Sequence, residues 1–127
     1  MFDMQSFVVD AHRIISNMVA IYALVTGTWG VLNYLRRRAP DGTYNGMLAI
    51  GVGLFVVEGL IGLILVLTGL QPARGLHFLY GVTIIVTIPG IFAITRGSNT
   101  VRESMLYGLG MIFIWGLAER AVETATP

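Results

Sequence analysis

Residues 14–35 read IISNMVAIYALVTGTWGVLNYL, a stretch without one charged side chain. A helix rising about 1.5 Å per residue needs roughly 20 apolar residues to cross about 30 Å of hydrocarbon. This segment is long and apolar enough to do so, and the remainder of the chain repeats the pattern. Residues 42–73 carry only Glu58, residues 75–95 carry no charge, and residues 104–118 extend to spanning length if 101–122 is helical with Glu119 near an interface. The reading is one domain over residues 1–127 with spans near 7–35, 44–69, 75–95 and 101–122.

The breaks are marked by turn chemistry: Ala39-Pro40-Asp41-Gly42, then Gly69 to Gly75 around Pro72, then Arg96-Gly97-Ser98-Asn99-Thr100. Short turns make sequential spans antiparallel neighbours. The expected fold is all-α, an integral membrane four-helix bundle running up-down-up-down. Pro89 lies inside the third span, where its missing N–H is expected to kink the helix. Trp29, Tyr34, Tyr44 and Tyr107 fall near span ends, as an interfacial belt would, while Trp115 is expected to pack inside the bundle.

Composition agrees: 127 residues, 55% hydrophobic, 12% charged, with mean hydropathy +0.76. With no cysteine, disulfides, thiolate metal sites and covalent haem attachment through Cys-x-x-Cys-His are excluded. No phosphate-binding loop or Ser-His-Asp arrangement is present, and a net charge of +1 gives no basis for nucleic-acid binding. Residues 1–10 contain acids and no Lys or Arg, unlike the start of a cleaved signal peptide, so the first span is expected to be retained. Arg36, Arg37, Arg38, Arg96 and Arg102 lie at one end of the bundle, against Arg13, Arg74 and Arg120 at the other. The positive-inside rule then puts the first group in the cytoplasm and both termini on the outer side, in a bacterial inner or cell membrane. Sixteen glycines, including Gly51, Gly53, Gly59 and Gly62 in the second span and Gly108, Gly110 and Gly116 in the fourth, suit close helix packing.

The chain has two histidines, His12 and His77, each near the start of an odd-numbered span. Alternating topology brings both to one side, roughly 5 to 10 Å below the same interface. The first and third helices of a simple bundle are diagonal, so both imidazoles can point to its centre and share one iron. Arg13 follows His12, and Arg74 precedes His77 by one turn; either guanidinium suits a haem propionate. Gly81, one turn beyond His77, leaves room for a porphyrin. Glu58 is the other outlier, because a carboxylate within a span is costly unless it is paired or functional. It could orient an imidazole or move a proton, or simply hydrogen-bond Tyr22, Asn17 or Tyr80.

His12-Arg13, Gly75-Leu76-His77 and Glu58, set in four spans covering nearly the whole chain, resemble the layout of small four-helix b-type membrane cytochromes and of one half of heme A synthase. The resemblance implies haem b held by His12 and His77, and electron transfer alone or within a respiratory or photosynthetic complex. Heme A synthase resembles two such bundles joined and carries more histidines; two histidines ligate one haem. Expected partners are the bilayer, other membrane proteins or further copies of the chain, and a quinone. Two alternatives stand beside this reading: a cofactor-free accessory or assembly subunit of a larger membrane complex, and a small transporter using Glu58 as its ion or proton site.

Overall fold

The computed structural model describes Met1 and residues 3–126. It is an all-α, up-down-up-down bundle of four helices: α1 (Met4–Leu35), α2 (Gly42–Leu67), α3 (Leu76–Ile94) and α4 (Val101–Ala125). All four are long and apolar enough to cross a membrane. At about 1.5 Å per residue, the 19 residues of α3 reach about 28 Å and the 32 of α1 about 48 Å, so α1 overshoots the hydrocarbon.

Local chemistry explains the helix boundaries. Asp3 caps α1 through Gln5 N (3.1 Å), and Asp41 caps α2 through Tyr44 N (2.8 Å). Each of the first three helices closes with an amide reaching back five residues: Arg38 N to Asn33 O, Leu70 N to Leu65 O and Gly97 N to Phe92 O. That closure places one residue in the left-handed region, glycine at Gly69 but arginine at Arg37 (φ 56°) and Arg96 (φ 52°). α3 runs unbroken through Pro89.

The helices form a square. α1 packs most closely on α4, α4 on α3, and α2 completes the ring more loosely against α1 and α3, while the diagonal pairs do not approach through their backbones. Glycine explains the tightest edge. A Cβ on Gly27 would lie 2.8 Å from Ile112 N, and one on Gly108 would lie 2.7 Å from Val31 N, so α1 and α4 touch backbone to backbone. Of the glycines singled out in the sequence, Gly51, Gly59, Gly62, Gly108 and Gly110 face close neighbours, whereas Gly53 and Gly116 face open space.

Packing is uneven along the bundle axis. On α1 the buried residues run from Val19 to Asn33; on α2 they are Tyr44, Leu48, Gly51 and Phe55; on α3, Ile84 and Ile88. All belong to the middle or to the end that carries Arg36 to Arg38, the arginine end. Toward the other end, where both termini lie, only α4 buries residues among those described, Ala118 and Thr124.

Three aromatic assignments change. Tyr44 and Tyr107 are core residues, 0% and 4% exposed, with the Tyr44 hydroxyl donating to Thr26 O at 3.0 Å. A hydroxyl that finds a carbonyl can be buried as readily as presented to an interface. Trp115, expected inside, stands on the exposed surface.

Candidate functional site

The two histidines meet in the loosely packed half. Their ring centroids are 6.1 Å apart, with planes at 66°. Topology does this: antiparallel hairpins bring the starts of α1 and α3 to one end, and the diagonal turns both rings inward.

Each imidazole is backed by an oxygen acceptor. His77 Nδ1 lies 2.8 Å from Ala121 O of α4. A carbonyl can only accept, so in the neutral ring Nδ1 carries the proton and Nε2 keeps its lone pair. His12 Nδ1 lies 3.0 Å from Glu58 Oε1, an ion-pair distance at which the ring N–H does not line up as a hydrogen bond. The Ser16 hydroxyl donates to the same Oε1. Glu58 Oε2 is enclosed and has no hydrogen-bond partner. The side chains of His12 and Glu58 are 20% and 15% exposed.

Helical spacing makes this one docking surface. His12 and Ser16 are one turn apart on α1, Glu58 and Gly62 one turn apart on α2. Gly62 has no side chain for a reason: a Cβ there would come within 3.2 Å of His12 Cε1. Glu58 was anticipated as outlier and as imidazole partner, but its contacts are His12 and Ser16 rather than Tyr22, Asn17 or Tyr80; Tyr22 instead donates to Met47 O (2.6 Å). The matching four-residue steps in the two segments were the signal that could have paired them.

The other anticipated residues are placed as follows. Gly81, one turn from His77, borders space in which a Cβ would meet nothing within 4 Å. Arg13 turns to Asp10 (3.2 Å), both largely exposed. Arg74 is exposed in the α2–α3 turn, which docks on α4 through Arg74 N to Thr124 O (3.1 Å). Neither guanidinium touches the histidine pair.

The most buried carboxylate is one that sequence reading passed over. Glu103 is 0% exposed and accepts from Ser98 Oγ (2.9 Å), Thr100 N (2.7 Å), the Thr100 hydroxyl, and Arg102 Nε and Nη2 (3.1 and 2.8 Å). With Thr100 it forms a capping box that starts α4, a structural task. The Thr100-x-x-Glu103 spacing was its signature.

Among the described residues, no group of three or more His, Asp or Glu side chains converges to hold a bare metal ion. Compared with family models, curated proteins and solved structures, the chain matches none.

Proposed function

We propose that the chain is a membrane-embedded b-type haem protein that carries electrons, alone or as a subunit of a respiratory or photosynthetic complex, with His12 and His77 as axial ligands. The observation that carries this reading is the pairing of two inward imidazoles, each with Nδ1 turned to an oxygen. The ring centroids stand 6.1 Å apart, near enough that both imidazoles could hold one iron. At His77 the acceptor behind Nδ1 fixes the tautomer and strengthens Nε2 as a ligand, while at His12 the Glu58 carboxylate lies at ion-pair distance. The sparse burial in this half and the lack of any neighbour within 4 Å of a Cβ on Gly81 would ease the approach of a porphyrin.

Bound haem would supply a reversible one-electron change at iron. The chain's residues do the remaining work: α1 and α3 hold the imidazoles level, Ala121 O and Glu58 orient them, and Gly62 lets His12 lie against α2. Arg13 and Arg74 remain proposed propionate partners, each within one turn of its histidine.

Purified protein expressed with ample haem should show a dithionite-reduced minus air-oxidised spectrum of a six-coordinate b-type haem. His12→Ala and His77→Ala should each abolish or greatly weaken it. A featureless visible region in the wild type, or full retention in both variants, rejects the assignment. The edge-to-face arrangement of the rings, which needs no guest, favours a second reading as a cofactor-free accessory subunit. Copurification from native membrane of a stoichiometric large partner, with no haem in this chain, would establish that alternative.

A further inference from the structure

At the arginine end, away from the histidines, a half-open cleft of about 500 Å³ lies beside the last turns of α1, walled by Trp29, Leu32, Asn33, Arg36, Arg38 and Asp41. Asn33 is 8% exposed and faces this cleft, yet its side-chain amide has no hydrogen-bond partner among the described residues. The amide opens onto the cleft and is free to donate to a ligand there. Arg36 and Arg38 likewise have no ion-pair partner there, because Glu103 is held by Arg102 and the Asp41 carboxylate caps α2 through Tyr44 N.

The local backbone builds this arrangement. The left-handed turn at Arg37 (φ 56°) reverses the chain, so that Arg36 and Arg38 both line the cleft and Arg37 does not. The segment is fixed from α4 and its preceding turn: Ser104 Oγ donates to Arg38 O (2.7 Å), and Asn99 Nδ2 to Pro40 O (2.5 Å). Leu32 and Trp29 continue the wall into the membrane-spanning part of α1.

The geometry points to a binding site for an anionic phospholipid, its phosphate held by Arg36, Arg38 and the Asn33 amide and its acyl chain lying along Leu32 and Trp29. Guanidinium groups match phosphate oxygens in pairs, and a primary amide adds a neutral donor. The apolar wall favours a lipid over free phosphate, which shares the headgroup chemistry. The arginine count assigns this end to the cytoplasm, where the leaflet is rich in anionic lipid.

Trp29 is its own reporter. In Trp115→Phe protein it is the one tryptophan left, so its fluorescence can be followed in phosphatidylcholine vesicles doped with brominated phosphatidylglycerol or brominated phosphatidylcholine. The anionic lipid should quench Trp29 at a lower mole fraction than the zwitterionic one. Each basic group near an anionic surface contributes about fivefold in binding, so Arg36→Gln and Arg38→Gln should each cut the preference about fivefold. Both side chains are exposed, so the fold is not at risk, and Asn33→Leu, with circular dichroism unchanged, should lower the preference as well. Equal quenching by both lipids, or an undiminished preference in the arginine variants, overturns the site. Reversal of quenching by millimolar inorganic phosphate would keep the anion site and overturn a lipid as its occupant.

Discussion

Gly108→Ala tests the contact on which the bundle is built. A methyl there would lie 2.7 Å from Val31 N, 2.9 Å from Gly30 C and 3.0 Å from Gly27 O, all backbone atoms of α1 with no rotamer to give way. Ordinary contact begins near 3.4 Å, so α1 and α4 must separate by about 0.7 Å along their tightest edge. Overpacking of this kind costs about 1–3 kcal/mol, partly offset by the roughly 0.8–1 kcal/mol that alanine gains over glycine in a helix. Gly53→Ala is the matched control, because a methyl at Gly53 meets nothing within 4 Å and only the propensity gain remains. One added carbon should therefore destabilise at Gly108 by up to about 2 kcal/mol and stabilise at Gly53 by up to about 1 kcal/mol. Thermal unfolding of both variants in one detergent, followed by circular dichroism, should shift their midpoints in opposite directions, by roughly 4 °C per kcal/mol. If Gly108→Ala melts no lower than Gly53→Ala, the backbone contact between α1 and α4 is wrong.

Gly62→Ala pushes on His12 Cε1 from 3.2 Å; helix content should be unchanged while haem binding weakens, and a wild-type haem titration in this variant would refute the ring's position against α2. Glu58→Gln keeps the shape and replaces the carboxyl group beside His12, and loss of such a partner typically costs about 10- to 100-fold in metal affinity. A haem titration reads this, and unchanged affinity would mean that Glu58 does not support the ligand. Glu103→Ala strips the common acceptor from Ser98, Thr100 and Arg102; it should lower the melting temperature well beyond Arg102→Ala, whose side chain is 70% exposed, and leave any haem spectrum unaltered.

The spans were legible because hydrocarbon imposes length and apolarity, and the turns because Pro72, Gly69, Asp41-Gly42 and Arg96-Gly97 stop helices for local reasons. Which face of each helix turns inward was not legible. Lipid is as apolar as the core, so inward and outward positions carry the same residue types and hydropathy does not separate them. Tyr44, Tyr107 and Trp115 were assigned to the wrong surroundings for that reason. Gly27 and Gly30 make the closest approach to α4, although glycine density pointed to α2 and α4. The histidine pair was readable because topology alone makes the two residues level. Ser16 and Gly62 were not readable as its supports, since their roles depend on the rotation of α1 against α2. Glu103 sat in a recognisable capping sequence that a search for chemistry overlooks.

The gradient of packing along the bundle also sets an order of events. Gly27, Gly30 and Gly108 lock α1 to α4, and Glu103 ties down the turn before α4. The four-helix topology therefore does not depend on anything held near the histidines. The haem proposed above would enter last, by parting the start of α1 from the α2–α3 hairpin, which stays docked on α4 through Arg74 N and Thr124 O. Local opening requires the least free energy where few groups are buried, so the protein breathes from that end, and amide exchange should quicken toward Met4, Leu67 and Leu76. On the haem reading, membrane insertion and loading become separate steps, the first completed by sequence alone.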